Sequence, residues 1–301
     1  MEKIEVRYPI FVPSKGRAKS LLTSKMFLQD GVPFRLVVEP QEVDAYAAEV
    51  GSEHVISLPE NNRGLVYSRN WIKDYATSEG HARHWQFDDD IVAMIRTHGG
   101  RKLYCASNLA LAAAEDFVDR YENAVLASFN SEFFVAWVVD GTTRQMWPPF
   151  YRNARCYTCF LIDNRITNRW RGRANEDTDM SLQVLADGQC TILFNAFSIR
   201  TPVTMSRPGG QMNAAYMGEG RLAMAREMER YWPGTVEVYR RFGRSQHHVK
   251  HEWQRFDTPL KLRADAAPVR DYGFELREMR EVKSSSLKAF LEAENAKRAA
   301  P

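Results

Sequence analysis

The chain has 301 residues, 44% hydrophobic and 26% charged, with a formal net charge of +3. This composition fits a globular protein with a substantial core and excludes a disordered or fibrous chain. No apolar run approaches the roughly eighteen residues of a membrane span, and the N-terminus "MEKIEVRYPIFVPS" carries acids and does not read as a signal peptide.

The first ninety residues alternate between two patterns. "YPIFVPS", "FRLVVEP", "HVISLPE" and "HWQFDD" are short apolar runs closed by turn or acidic residues and predict buried strands. Between them, "AKSLLTSKMFLQDG", "QEVDAYAAEVG" and "GLVYSRNWIKDYATSEG" have helical spacing, each closing on a glycine. Strands separated by helices predict an α/β fold, an open and mostly parallel twisted sheet with helices on both faces. Further on, "SNLALAAAEDFVDRYEN" predicts a helix capped by Ser107 or Asn108. "AVLASFN", "FFVAWVVDG", "CYTCFLIDNR" and "CTILFNAFSIR" predict strands, and "EDTDMSLQVLADG" and "GRLAMAREMERYW" helices. "SRPGGQMNAAYMGEG" reads as a mobile loop, and "SSSLKAFLEAENAKRAAP" as a surface helix at the end. The expected organisation is a domain over residues 1–215, split near 95 into two halves, and a basic, mainly helical extension over 216–301.

Cys105, Cys156, Cys159 and Cys190 make no disulfide framework, and Cys156 and Cys159, though spaced C-x-x-C, lack a second zinc-spaced pair. Reduced core thiols and a cytoplasmic location are expected. Charge is unevenly spread: Gly141–Ala174 holds seven arginines against Asp163 alone, and Arg221–Phe256 eight Lys/Arg against four acids, with His247, His248 and His251. Such stretches suit a polyanionic partner, or form a solvated surface.

Ligands of open parallel sheets bind beyond the carboxyl ends of the strands. That edge should collect Ser14-Lys15-Gly16-Arg17, Glu39-Pro40, Pro59-Glu60 and Asp88-Asp89-Asp90. Asp88 and Asp90, two apart in extended chain, leave on the same side and suit a hard divalent cation, manganese or magnesium, completed by water and phosphate. Lys15, Arg17 and the helix-start residues Arg63, Gly64, Arg69 and Asn70 suit phosphate. In "NEDTDM", Glu176 and Asp177 open a helix, where acids are favoured by the dipole and can also serve as a general base. "RQMWPPFYRNARCYTCF" interleaves aromatics and arginines, a pattern of nucleic-acid grooves or of an aromatic cluster under a loop.

In their order, "IFVPSKGR", "VVEP", "ENNRGLVYSRNW", "QFDDDI" and "NEDTDM" resemble the GT-A (Rossmann-like) glycosyltransferases, and more narrowly the phage-associated TET/JBP-associated glycosyltransferases, over about residues 7–215. The resemblance implies a metal-dependent, inverting hexosyltransferase. It would move a sugar from a nucleotide-sugar donor, a UDP-sugar by expectation, to 5-hydroxymethylcytosine in DNA. It further implies nucleotide contacts from Pro13, Ser14, Lys15, Gly16, Arg17, Glu39, Arg63, Gly64, Arg69, Asn70, Asp88 and Asp89. Asp88 and Asp90 would then hold the metal, with Asp177 the base and Glu176 its rival. For the acceptor, Arg144, Trp147, Tyr151, Arg152, Arg155, Arg171 and Arg173 are the candidates. His247, His248 and His251 are candidates for a further metal ligand or for DNA contact. A GT-A enzyme for a glycan, lipid or small-molecule hydroxyl, and a DNA-binding protein without catalysis, are the alternative readings.

Overall fold

A computed structural model of the chain describes residues 4–98, 101–135, 137–140, 143–146, 148–202, 220–241 and 243–266. The N-terminal alternation produces β1 (Ile10–Pro13), α1 (Leu22–Asp30), β2 (Arg35–Val38), α2 (Val43–Val50), β3 (Val55–Ser57), α3 (Leu65–Ser78) and β4 (Arg83–Phe87). These strands pair in parallel in the order β3-β2-β1-β4. After them come β5 (Ala93–His98), β6 (Arg101–Cys105), α4 (Ser107–Val118) and β7 (Ala124–Ser131). The next elements are β8 (Trp137–Asp140), β9 (Thr143–Met146), β10 (Phe150–Arg152), β11 (Cys159–Asp163), α5 (Glu176–Ala186) and β12 (Cys190–Arg200).

The sheet continues β4-β11-β7-β12-β5-β6, with β10 pairing the first half of β12. β11 enters antiparallel between β4 and β7, a pairing the sequence pattern did not announce, while β12 runs parallel to β7. The carboxyl ends of β1 to β4, β7 and β12 therefore share one edge. β11 and β5 start at that edge, because each is antiparallel to its neighbour. The run from Phe133 to Gly141 is not one strand of the sheet: β8 leaves it to form a separate hairpin with β9.

Helices cover both faces. Phe27 of α1 and Leu111 and Phe117 of α4 pack with Ile10, Leu36, Trp85, Phe87 and Phe194 on one side. On the other, Ile72 and Ala76 of α3 cover Phe11 and Val37, and Met180 and Val184 of α5 cover Leu126 and Phe160. The four cysteines are free thiols, three of them buried, as expected for a reduced core. Ser107 does not cap α4. It is the first helical residue, and the Asp30 carboxylate at the end of α1 accepts its backbone N–H at 2.8 Å and its hydroxyl at 2.6 Å. One helix's last residue thus satisfies another's orphan donor.

The five residues of β4 are buried on both faces. Trp85 and Phe87 point into the larger core, where Trp85 stacks on Phe129 at 5.5 Å. His84 and Gln86, on the opposite face by the two-residue period, form a buried polar ladder. His84 Nδ1 meets Asn164 Oδ1 at 2.6 Å, and Gln86 Nε2 donates to His84 Nε2 at 2.9 Å and to the Arg69 carbonyl at 3.0 Å. Burial, with Asn164 opposing it, drives the His84 pKa down to about 3, so the imidazole is neutral.

Beyond 215, α6 (Gly220–Tyr231) is the expected helix, joined by a hairpin of β13 (Val236–Arg241) and β14 (Arg244–Val249). Leu182, Met228 and Val236 form one apolar cluster, and Trp232 Nε1 donates to Asp179 Oδ1 at 2.7 Å, so these elements are fastened to α5. The segment after them straps the far side, where Asn123 takes the Lys261 N–H at 2.8 Å and donates to the Pro259 carbonyl at 2.9 Å. The loop read over 206–220, except Gly220, and the helix read over 284–301 lie outside the described residues.

Two predictions follow from these contacts. Asp30→Ala should lower unfolding free energy by about 1–2 kcal/mol in urea melts, the usual cost of a lost helix-end acceptor. His84 takes up a proton in the unfolded chain below its ordinary 6.5 but not in the folded one until about 3. Stability should therefore fall as pH drops through that window, by at most about 1.4 kcal/mol per unit. Melts against pH should show His84→Asn lacking this component.

Candidate active site

Three loops at the carboxyl edge are stitched together by their own polar groups. Gly16, with φ +68°, turns the chain after β1 so that its N–H reaches Glu42 Oε1 at 2.8 Å. Ser14 Oγ lies between Tyr46 OH, at 2.8 Å, and the Asp89 carboxylate, which it donates to. Arg17 pairs with the other oxygen of Asp89 and stands 3.8 Å from Asp90 Oδ2. Lys15 Nζ joins Glu39 Oε1 and Asn62 Oδ1, each at 2.7 Å. The ends of β1, β2 and β4 and the approach to α3 thus form one polar rim, to which Pro13 contributes as the last residue of β1.

The helix-start residues divide. Gly64 is the N-cap of α3, and Arg63 stays exposed, paired with Glu60 at 2.7 Å. Asn70 is committed elsewhere: its amide exchanges two hydrogen bonds with the Trp170 backbone, at 2.8 and 3.0 Å, which fixes the loop before α5. Arg69 is buried to 2% exposure instead of facing an anion in solvent. Its guanidinium packs against the rings of Phe160, at 4.8 Å, and Trp170, at 5.0 Å, which meet each other edge to face. Arg69 Nη2 donates to Asp88 Oδ1 at 2.7 Å, and its Nε is 3.8 Å from Glu176 Oε1. Gln86 Oε1, above the ladder of β4, receives Nη1 at 3.4 Å. The two acidic groups, almost ninety positions apart, therefore meet on one arginine.

Burial raises the Asp88 pKa, with Arg69 opposing and Asp90, Glu176 and Asp89 adding to the rise. Glu176 is likewise raised, first by burial, then held back by Arg69, with Asp177 pushing it up. Four carboxylates, Asp88, Asp89, Asp90 and Glu176, stand against two guanidiniums, Arg17 and Arg69, an acidic cluster in which Asp88 and Asp90 could hold a hard dication. Asp89 is already taken by Ser14 and Arg17. Among the described residues no cluster of three His, Cys, Asp or Glu side chains could hold a metal ion. The chain therefore offers two carboxylates, and water and phosphate would complete the shell.

Asp177, beside Glu176, faces the other way. Its Oδ1 accepts the Thr178 N–H at 2.6 Å, and its Oδ2 is 3.7 Å from Arg155 Nε, whose guanidinium lies over Tyr157 at 5.0 Å. From β14, His247 Nε2 comes within 3.2 Å of Thr178 Oγ1; burial lowers its pKa and Asp177 counters. His248 and His251 are exposed. The C-terminal hairpin thereby reaches the first turn of the helix that carries the candidate base.

The residues expected to touch DNA are scattered. Tyr151 is buried on β10. Arg152 is an internal ion pair with Asp257 at 3.2 Å and also donates to the Thr258 carbonyl. Arg171 grips Asp179 through two bonds of 2.8 and 2.9 Å under the Tyr231 ring, so it ties α5 to α6. Arg155 and Arg173 are exposed. Arg144 lies on β9 with its side chain outside the described set, as is Trp147 entirely. Gln86, His84 and Phe160, which position Arg69, were not singled out from sequence. The available signal was polar residues two apart inside an apolar strand.

Among the described residues no helix is long and apolar enough to cross a membrane. No curated protein matches the chain. Among solved structures, one described as a nucleotide-diphospho-sugar transferase from Desulfovibrio desulfuricans G20 is 12% identical, with TM-score 0.40, over 74% of this chain and 96% of that one. GalNAc-T7 with UDP, GalNAc and Mn2+ is 9% identical, with TM-score 0.43, over 65% of this chain and 44% of that one. The sequence model of the TET-associated glycosyltransferases matches residues 8–210. With that match over most of a mixed sheet whose two acidic groups meet at its carboxyl edge, the chain belongs to the TET-associated glycosyltransferase family and is a glycosyltransferase.

Proposed function

We propose that the protein transfers a hexose from a nucleoside-diphosphate sugar to the hydroxymethyl group of 5-hydroxymethylcytosine in DNA, by one inverting displacement. The observation that carries the reading is the shared Arg69, which brings Asp88 and Glu176 to one side of the sheet edge. The donor half of the rim, with Lys15, Arg17 and the turn at Gly16, supplies cations and backbone for a nucleotide. Asp88 and Asp90 would hold a divalent cation, and such a cation neutralises the diphosphate as it leaves.

Glu176 and Asp177 divide two tasks between them. Glu176, turned inward, balances Arg69 and keeps it against Asp88. Asp177, more open and flanked by Arg155, takes the proton from the hydroxymethyl oxygen as that oxygen bonds to the anomeric carbon. The carbon–oxygen bond to the diphosphate breaks in the same step, and the nucleoside diphosphate departs with the electron pair. Because the attack comes from the side opposite the leaving group, the anomeric configuration inverts.

Incubating the protein and manganese with hydroxymethylcytosine DNA and a panel of nucleotide sugars should add one hexose mass to that nucleoside in digests, and chelation should abolish it. Hexose on a glycan or small hydroxyl, with none on DNA, would assign a different acceptor. Asp177→Asn should reduce transfer by about 10²–10⁴-fold with donor affinity by calorimetry unchanged. Glu176→Gln should instead weaken the fold around Arg69 and leave measurable transfer. The reverse pattern would make Glu176 the base.

A further inference from the structure

The acceptor half of the sheet ends in a corner formed by β5, β6, β7 and β12. β7 runs out into Glu132-Phe133-Phe134, β12 ends at Arg200, and β5 begins opposite it, pairing Ala93 with Arg200. β6 returns to the same edge, where Tyr104 pairs with Ile95. The Val92 N–H donates to the Arg200 carbonyl at 2.8 Å, two residues past Asp90, so the corner adjoins the aspartate turn.

Its side chains are linked. Arg200 donates to the Glu132 carboxylate, at 2.9 Å through Nη2, and to Tyr104 OH, with its guanidinium 4.8 Å from the Tyr104 ring. Lys102 Nζ donates to the Glu132 carbonyl. On this charged frame Tyr104 is 71% exposed, Phe133 83% and Phe134 59%, the two phenyl rings meeting edge to face at 5.2 Å. Large exposed rings grouped together mark an interaction surface more often than chance exposure. Charge decides the partner: Arg200 and Lys102 share the Tyr104 face of the sheet and bring two positive charges to the corner against the one negative charge of Glu132. Aromatic faces framed by cations suit bases on the rings and phosphates on the cations. An apolar protein partner would need no such frame.

We infer that this corner, built by Tyr104, Phe133, Phe134 and Arg200 with Lys102, is the face on which the DNA acceptor docks. The inference rests on the reading of DNA as the acceptor and adds where and how it is held. The strand lies across the ends of β7 and β12, stacked on the exposed rings, and presents its hydroxymethyl base toward Asp88 and Asp177.

The test measures binding of a labelled hydroxymethylcytosine oligonucleotide by fluorescence anisotropy, and separately its modification by mass. Tyr104→Ala and the double variant F133A/F134A should each weaken binding by about five- to a hundredfold. Both should raise KM for DNA, with melting temperature and donor affinity kept. Lys102→Ala should lower the slope of log affinity against log salt by about one. Variants that bind and modify the oligonucleotide as the parent does would overturn the docking face and leave the transferase reading intact. A parent that binds through the corner yet adds no hexose would overturn the transferase reading and leave the face intact. A parent that neither binds nor modifies DNA would overturn both. A dimeric parent made monomeric by F133A/F134A, with DNA binding unchanged, would make the corner a self-association surface instead.

Discussion

A single buried guanidinium organises the molecule. Arg69 is removed from water, with Asp88 and Glu176 opposing its charge and two aromatic rings packed against it. Those partners come from four places: the turn after β4, strand β11, the loop before α5, and the start of α5. Holding the cation therefore obliges those segments to meet. The cost of its burial is met by Asp88, the proposed cation ligand, and by Glu176, the neighbour of the proposed base, so the fold around Arg69 and the proposed reactive edge are coupled. Removing either partner would leave an unbalanced charge in a poor dielectric, which costs far more than a surface pair contributes.

The rest of the edge is arranged around that arginine. Beneath it, the His84–Gln86 ladder fixes its height above the sheet, and Asn70 fixes the Trp170 loop that closes over it. To one side, Ser14, Arg17 and Asp89 bind the first loop to the aspartate turn. To the other, Asp177 opens toward Arg155 and the C-terminal hairpin. In the proposed reaction, donor chemistry falls to the parallel half of the sheet and acceptor chemistry to the β7–β12 half, with the acidic turn between them.

Much of this was legible in the chain. The period-two and helical patterns over the first ninety residues locate β1 to β4 and α1 to α3, because short apolar runs and glycine closures are local signals. Locating Asp88–Asp90 and Glu176–Asp177 needed only the rule that ligands gather at strand ends. The long-range pairings were not legible. Nothing in "CYTCFLIDNR" says that β11 inserts between β4 and β7, and nothing near Ser107 says that Asp30 supplies its acceptor. The arginine-rich stretch misled for a related reason. Arg152 and Arg171 look like solvated cations in sequence, but Asp257 and Asp179, contributed from distant or later elements, pair them. The exposed rings of Phe133 and Phe134 read as an ordinary strand, since an apolar run does not reveal on which side of a strand's end it falls.

The claim that the two acidic groups serve one site is tested most directly by a crystal structure of the protein soaked with manganese and UDP, read by anomalous scattering. The account predicts a manganese peak between Asp88 and Asp90, the diphosphate against it, and the Asp177 carboxylate facing the open side where an acceptor hydroxyl would enter. A peak elsewhere, or a nucleotide seated away from the turn after β4 with Asp177 turned from it, would contradict the account.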